Sequence, residues 1–257
     1  MRSHPAGRIV TLMDNDVTQV KRWEGSAAWG RVFALLYDPS VWVGERAGLR
    51  THRQQLLSRA SGRTLEIGGG TGLNLAHYPD DLEELVLVEP DPDMRIRVEK
   101  RLRRNGRRAQ LLDAPAERLP FADESFDTVV STLVLCTVIY PDVALREIAR
   151  VLRREGQLLF LEHVRSESPL LASWQERLAG PWRHFARGCH CNRDTAQLIV
   201  AGGFHLEHIR TASWRSMPPI VRPLIAGRAR KKVLASATGS VLVSTPRPST
   251  RGRFNDG

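Results

Sequence analysis

The chain has 257 residues, of which 42% are hydrophobic, so one domain with a substantial core is the economical expectation. No apolar run approaches the roughly 18 residues of a membrane-spanning helix, and three cysteines are too sparse for the disulfide framework of a small secreted protein. The formal net charge of +10 comes almost entirely from arginine and lacks the interleaved aromatic residues that stack on bases, so we expect no nucleic-acid partner.

We divide the chain into a flexible polar lead of residues 1–25, one domain of residues 26–232 and a tail of residues 233–257. Proline, serine, threonine and arginine dominate the end of the tail, a composition typical of disorder. The apolar stretch near the N-terminus is too short for a secretory signal, so we expect a cytoplasmic protein. Translation that starts at Met13 instead of Met1 is equally compatible with the sequence.

An aromatic-rich stretch at residues 29–46 predicts helix ahead of the first strand. Trp29, Phe33 and Tyr37 stand at helical spacing, which places their rings on one face. That face either packs on the core as a cap over the sheet or folds over a bound ligand and helps to build its pocket. The two interpretations are compatible.

A glycine loop is the most informative feature of the chain. The apolar run Thr64–Ile67 predicts a buried parallel strand, Gly68, Gly70 and Gly72 follow at alternate positions, and Leu73 begins a predicted helix. Glycines in such a turn let backbone N–H groups approach a ligand that side chains would otherwise block. We therefore expect a nucleotide-like cofactor at this loop.

The spacing of the glycines decides which cofactor the loop suits. A dinucleotide fingerprint needs a third glycine where this chain has Leu73, and a phosphate-binding loop needs a lysine that is absent here. Glu66 precedes the first glycine by two residues, and its carboxylate suits a cation with an amino-acid head better than a pyrophosphate. S-adenosylmethionine carries a sulfonium and an ammonium, so we expect it here. A structural turn without a ligand is the alternative.

The residues that follow favour the ligand over the structural turn. A second apolar strand pattern ends at Glu89, about 20 residues after the loop, where a carboxylate can accept both hydroxyls of a ribose. Strand patterns then alternate with helical ones, which predicts right-handed βαβ units, a parallel sheet and the α/β class. The strand patterns lie at residues 126–135 and 156–163, and the helical patterns at residues 94–104 and 143–152.

Residues 65–72, Glu89, and the segments at residues 119–127 and 149–156 resemble the class I S-adenosylmethionine-dependent methyltransferases of the methyltransferase domain 11 type. The resemblance covers about residues 30–232. It implies a doubly wound, mostly parallel, seven-stranded Rossmann-like sheet with an N-terminal helical cap. It is specific for the cofactor and says little about the methyl acceptor.

A closer resemblance concerns the second half of the domain. Residues 131–138, 161–164, 180–193 and 221–227 resemble a methyltransferase-like family that includes mammalian alkyl-thiol S-methyltransferases. The resemblance implies a small-molecule acceptor, most simply a thiol. A phospholipid or quinone-type acceptor is the alternative, and a protein that binds S-adenosylmethionine without catalysis is a third hypothesis.

The motif positions assign residues to the cofactor. The glycine loop should hold the methionine end, Glu89 the ribose, and the residues after it the adenine; Thr132 and Leu133 should lie under the sulfonium. Pro115 stands where similar enzymes often place an adenine-binding Asp or Asn, so the backbone near Ala116 or the side chain of Asp113 would replace it. The cofactor residues predicted are Glu66, Gly68, Gly69, Gly70, Thr71, Gly72, Asn74, Glu89, Pro90, Asp91, Met94, Ala116, Glu117, Thr132 and Leu133.

Glu162 and His163 end a predicted strand, where open α/β sheets place ligands, so His163 is our candidate catalytic residue. Its imidazole would take a proton or, when charged, favour a thiolate; a histidine satisfied by a backbone carbonyl is the alternative. His190 and Arg193 are weaker candidates. A thiol with a pKa near 8.5 is partly ionised at neutral pH, so its methylation needs no dedicated base. Further aromatic residues predict a cover over an apolar acceptor or ordinary packing: Trp174, Trp182, Phe185 and Trp214.

Cys189 and Cys191 lie too close for a usual pair of zinc ligands and no second pair is evident, so we expect no metal. Cys136 is expected to pack as a small hydrophobic residue. The arginines of residues 95–108 are expected to be solvated on a surface helix. A basic surface also permits peripheral contact with anionic lipid headgroups, and no obligate protein partner is evident.

Overall fold

The structure, a computed structural model, describes residues 27–232, so the predictions for the lead and the tail lie outside the described residues. Seven strands form one sheet, and six α-helices accompany them in the described part of the chain. The strands are β1 (Arg63–Ile67), β2 (Glu84–Val88), β3 (Gln110–Leu112), β4 (Phe126–Thr132), β5 (Leu152–His163), β6 (Phe204–Ser213) and β7 (Pro223–Lys231). The helices are α1 (Ala27–Gly44), α2 (Arg50–Leu57), α3 (Pro92–Asn105), α4 (Pro141–Val151), α5 (Pro169–Phe185) and α6 (Thr195–Ala201).

The strand order is β3-β2-β1-β4-β5-β7-β6. The first five strands in this order are parallel, whereas β7 runs antiparallel to both β5 and β6. The predicted doubly wound, mostly parallel, seven-stranded sheet is therefore confirmed. The order reverses at β1, between β2 and β4, which is where ligands bind in open α/β sheets, at the carboxyl ends of the strands.

Helices cover both faces of the sheet. Along β2, Val86 and Val88 belong to one apolar core and Leu85 and Leu87 to the other, because successive side chains of a strand point to opposite faces. The first core takes up apolar residues of α4 and α6, and the second those of α1, α2 and α3. This two-sided burial explains why the parallel strands read as continuous apolar runs in the sequence.

The helix predicted from Leu73 onward is wrong. Residues 73–77 form successive turns, with Leu75 N–H bonded to the Gly72 carbonyl and His77 N–H to the Asn74 carbonyl. The Asn74 side chain is hydrogen-bonded to Glu66, Thr132 and Arg53, and we infer that these tertiary contacts hold the segment in its turn conformation. The strand predicted to reach residue 135 also ends earlier, at Thr132.

The expectation of solvated arginines is wrong at three positions around α3. Arg95 pairs with Asp113, Arg101 with Asp38 and Arg107 with Asp80. Part of the basic charge is therefore used to fasten α3 to its neighbours. Within residues 27–232, none of the helices has the length and apolar character needed to cross a membrane.

Candidate active site

The glycine loop follows β1 at the carboxyl edge of the sheet. Gly68, Gly70 and Gly72 have φ values of 58°, 55° and 80°, a backbone conformation that residues other than glycine rarely adopt. A Cβ atom on Gly68 would lie 2.6 Å from Val134, and one on Gly72 would lie 2.9 Å from Leu75. A Cβ on Gly70 would meet nothing closer than the Gly68 carbonyl oxygen at 3.8 Å. The backbone at Gly70 therefore borders open space that a ligand can enter.

Glu89 follows β2 and holds this loop from the side. Its Oε2 accepts the Gly70 N–H at 2.7 Å, and its Oε1 accepts the Asp91 N–H at 2.9 Å. Burial raises the pKa of the Glu89 carboxyl to about 7, although the two backbone N–H groups oppose that effect. Each carboxylate oxygen retains a lone pair, so the group can also accept hydroxyls of a ligand.

Asp91 begins α3 as its N-cap. Its side chain accepts the backbone N–H groups of Asp93 and Met94 at 2.9 and 3.0 Å, and it pairs with Arg187 from the loop after α5. Pro90 connects Asp91 to Glu89, and Met94 is buried one turn into α3. These predicted cofactor residues therefore lie together beside the glycine loop.

Glu66 lies behind the loop in a buried polar network. Its two oxygens accept from Asn74 Nδ2 at 2.9 Å and Tyr78 Oη at 2.8 Å. Asn74 also donates to Thr132 Oγ1 at 3.0 Å and accepts from Arg53 at 2.8 Å. Burial raises the pKa of Glu66 to about 7 against these hydrogen bonds. The network positions the loop, and direct contact of Glu66 with a ligand stays a prediction.

Leu133 leaves β4 with a φ of 59°, and its N–H bonds to the Leu161 carbonyl at 2.8 Å. Such a conformation is strained for a leucine, and strain of this kind concentrates at functional sites. Ala116, which is predicted to lie beside the adenine, is buried. Glu117 instead accepts the N–H groups of Ile139 and Tyr140 ahead of α4, so its carboxylate is engaged in holding that turn.

Helix α1 folds over the glycine loop. Asp38 accepts from Thr71 Oγ1 at 2.5 Å and from Arg101 of α3 at 2.6 Å. The rings of α1 continue into α5: Trp29 lies 6.4 Å from Phe33 and 5.7 Å from Phe185, measured between ring centroids. The helix α1 therefore contributes core contacts and lies against the glycine loop, while its role over a bound ligand stays a prediction.

The acceptor candidates at the end of β5 occupy different environments. Glu162 is fully buried and accepts from Ser131 Oγ at 2.7 Å and from the Val134 N–H at 3.0 Å. His163 is also buried; its Nδ1 lies 3.3 Å from Cys136 Sγ and 3.5 Å from Cys189 Sγ, while its Nε2 is buried without a hydrogen-bond partner. Neither ring nitrogen is hydrogen-bonded to a backbone carbonyl, so the alternative prediction of a His163 satisfied by such a carbonyl is wrong.

Neighbouring groups shift the titration of this cluster. The hydrogen bond with Cys136 lowers the pKa of Cys189 well below its usual range, against the effect of burial. The same contact, together with burial, raises the pKa of Cys136. Burial lowers the pKa of His163, but the Cys189 thiolate outweighs it and the net shift is upward. The three groups therefore interact strongly: the pKa values of Cys136 and Cys189 move in opposite directions, and the pKa of His163 rises.

The two weaker candidates, His190 and Arg193, make hydrogen bonds to backbone carbonyls of a neighbouring loop. The His190 N–H donates to the Cys136 carbonyl at 2.7 Å, and Arg193 donates to the carbonyls of Leu135 and Val138 at 2.7 and 2.8 Å. These hydrogen bonds connect the loop after α5 to the loop after β4. The sequence reasoning missed the other residues that build the site, since no local spacing connects them: Asp38, Arg53, Tyr78, Cys136, Arg187 and Cys189.

Comparison with known proteins places this geometry in a family. The Methyltransferase domain family matches residues 65–160. The chain is similar to the thiol S-methyltransferase TMT1B of Rattus norvegicus (35% identity over 175 residues, 65% of this chain and 70% of the relative). It is similar to the thiol S-methyltransferase TMT1A of Homo sapiens (36% identity, 65% and 70% coverage).

Two further similarities are more distant. Phosphatidylethanolamine N-methyltransferase of Cereibacter sphaeroides is 32% identical over 120 residues, which cover 46% of this chain and 59% of the relative. A methyltransferase of Thermotoga maritima, described as a possible histamine N-methyltransferase, has the same fold. It superposes with a TM-score of 0.61 at 24% identity and covers 80% of this chain and 100% of that one. Sequence relatives and fold agree, and the chain therefore belongs to the class I S-adenosylmethionine-dependent methyltransferases, an enzyme family whose cofactor is S-adenosylmethionine.

Proposed function

We propose that the enzyme methylates the sulfur of a small thiol. The observation that carries the proposal is the similarity to thiol S-methyltransferases at 35–36% identity across about 70% of their length. The site is compatible with this acceptor, because a thiol needs no general base. The buried carboxylates of Glu66, Glu89 and Glu162 already accept hydrogen bonds from protein groups, which makes them poor candidates for that role. An alcohol would need a base to remove its proton, whereas a thiol ionises near neutral pH.

The residues of the glycine loop fit S-adenosylmethionine. A Cβ atom on Gly70 would project into the open space beside the loop, and Glu89 borders that space because its carboxylate accepts the Gly70 N–H. We infer that Glu89 accepts the ribose hydroxyls and that the loop from Gly68 to Asn74 holds the amino-acid end. When bound, S-adenosylmethionine supplies a methyl group on a sulfonium. The chain itself orients the acceptor, and positioning of this kind contributes about 7–11 kcal/mol to a two-reactant step.

His163 is the residue we assign to the acceptor. Its Nε2 is buried and has no hydrogen-bond partner in the described structure, so a bound acceptor that reached this nitrogen would supply the missing partner. A proton on Nε2 would be donated to the sulfur of the acceptor, which favours the thiolate and lowers its pKa. The aromatic side chains of α1 and α5 would exclude water from this end of the site.

A panel of acceptors tests the proposal. Methyl transfer from labelled S-adenosylmethionine should occur with alkyl thiols or hydrogen sulfide and be absent with the matching alcohols. A matched control is the chain with Gly70 replaced by alanine, because weaker cofactor binding should lower the rate of transfer to every acceptor alike at a fixed, subsaturating concentration of S-adenosylmethionine. Product with phosphatidylethanolamine or a prenylated quinone precursor, and none with any thiol, would overturn the proposal.

A lipid-like acceptor is the second candidate, and one observation favours it. Several large apolar side chains of α1 and α5 are exposed, which is unusual for a purely aqueous surface. Co-sedimentation with anionic vesicles would separate the two candidates when combined with the acceptor panel. The exposed residues are Val32, Leu35, Leu36, Trp42, Val43, Leu170, Trp174, Leu178 and Phe185.

Binding of S-adenosylmethionine should weaken as the pH falls through 7. The pKa of Glu66 and of Glu89 is raised from 4.5 to about 7 by burial, so both carboxyls take up protons just below neutrality. A cation and two donating hydroxyls favour the ionised forms, and each group that must ionise adds up to about tenfold in Kd per pH unit. Calorimetric titration at pH 6, 7 and 8 measures the slope, which Glu89→Gln should reduce; a Kd independent of pH would contradict it.

A further inference from the structure

Three side chains that can bind a metal converge at the carboxyl end of β5. Cys136 follows β4, His163 ends β5, and Cys189 belongs to the loop after α5. Their donor atoms all lie within 4.8 Å of one another, and the three residues are buried. Neighbouring cysteine Cys191 is buried as well but does not belong to this group.

We propose that Cys136, His163 and Cys189 form a zinc site. Tetrahedral zinc has Zn–S bonds of about 2.3 Å and Zn–N bonds of about 2.0 Å, which separates two sulfur ligands by about 3.8 Å and a sulfur from a nitrogen by about 3.5 Å. Here the two Sγ atoms are 4.0 Å apart, and the His163 Nδ1 lies 3.3 and 3.5 Å from them. These three separations match three corners of such a tetrahedron.

The chemistry of the donors selects the metal. Thiolate and imidazole ligands suit zinc, whereas magnesium and calcium prefer oxygen. Two buried thiolates would be costly without a compensating charge, and a divalent cation neutralises both of them. Zinc on Nδ1 also fixes the proton of His163 on Nε2, the nitrogen that has no partner.

The surrounding hydrogen bonds hold the ligands in place. The Cys136 N–H donates to Glu162 Oε2 at 3.3 Å, and the Cys136 carbonyl accepts the His190 N–H at 2.7 Å. The Cys191 carbonyl accepts from Gln175 at 2.9 Å, which anchors the same loop from α5. The ligand segments are therefore preorganised, as supported metal sites require. The metal would join the loop after β4, which carries Leu133 and Cys136, to the loop after α5, which carries Cys189.

Metal analysis of the full chain, purified under reducing conditions without a histidine tag, tests the site. We expect about one zinc per chain, and Co²⁺ added to metal-free protein should give the charge-transfer band of cobalt–thiolate bonds. Cys191→Ala, the matched control, should retain both signals, while Cys136→Ser and Cys189→Ser should each lower metal content about tenfold or more. Reduced wild-type protein that takes up neither ion would overturn the proposal.

Two further readouts keep the outcomes distinct. Zinc should raise the Tm of the wild-type and Cys191→Ala proteins and protect two of the three thiols from alkylation, even if a serine variant fails to fold. A disulfide between Cys136 and Cys189 that survives purification under reducing conditions, with no metal bound, would also contradict the site. These measurements do not involve methyl transfer, so a zinc protein that methylates no thiol would refute the proposed function and leave the metal site standing.

Discussion

Replacing Glu89 with alanine is expected to raise the Kd for S-adenosylmethionine about 100-fold, which corresponds to about 3 kcal/mol. The substitution removes the acceptor that we assign to the ribose hydroxyls. It also releases the Gly70 and Asp91 N–H groups, which the carboxylate holds at 2.7 and 2.9 Å. Hydrogen bonds to a charged group contribute about 1.5–3 kcal/mol each, so the loss of two or more explains the expected size. Isothermal titration calorimetry measures it.

Glu84→Ala is the matched control for this experiment. Glu84 begins the same strand, at the opposite edge of the sheet, where it pairs with Arg63 and is partly exposed. Its removal should leave the cofactor Kd unchanged. Glu89→Gln, which keeps one acceptor oxygen, should bind more tightly than Glu89→Ala. A Glu89→Ala protein that folds normally and binds within about twofold of the wild type would show that the carboxylate does not reach the cofactor.

Replacing Gly70 with alanine should weaken cofactor binding about 10- to 100-fold, which is about 1.4–2.8 kcal/mol. The new Cβ atom projects into the open space beside the loop, where we place the cofactor. Part of the loss in stability comes from the backbone, because a φ of 55° costs an L-residue about 1–2 kcal/mol. Binding is measured by calorimetry, and stability is measured by thermal unfolding.

Gly106→Ala separates the steric effect from the backbone effect. Gly106 ends α3 with a φ of 63°, and a Cβ there would meet nothing within 4 Å. The two variants should therefore lose similar stability, while only Gly70→Ala loses affinity. Equal Kd values for the two proteins would place the cofactor away from Gly70.

The parallel strands and the position of the glycine loop could be predicted because each depends on a pattern of residues within one short segment. Thr64–Ile67 and Leu85–Val88 are apolar runs that only a sheet covered on both faces accommodates, and they appear as β1 and β2. The helix expected from Leu73 failed for a reason outside its own segment. Asn74 is held by Glu66, Thr132 and Arg53, and tertiary contacts of this kind override local propensity.

The sequence singled out the glycine loop and Glu89, which the structure brings into contact, but it indicated only part of the cluster around His163. The spacing from Gly68 to Glu89 is short and local, so it marks the loop and the acid beside it. His163 could be singled out because strands end at ligand sites, but its surroundings could not. Cys136 and Cys189 stand 53 positions apart in the chain and lie 4.0 Å apart at their sulfurs. The expectation of no metal rested on the close spacing of Cys189 and Cys191 and on the lack of a second pair of ligands in the sequence, whereas the fold groups Cys189 with Cys136 and His163.

The sequence by itself determined the fold class, the enzyme family and S-adenosylmethionine as the cofactor, because these depend on residue patterns within single βαβ units. The tertiary structure alone decided which side chains meet: Arg187 with Asp91, Asp38 with Thr71, and the two cysteines with His163. These pairs come from segments far apart in the chain, joined only when the sheet orders its strands and brings their carboxyl ends to one edge. Spacing along a sequence carries no information about such contacts.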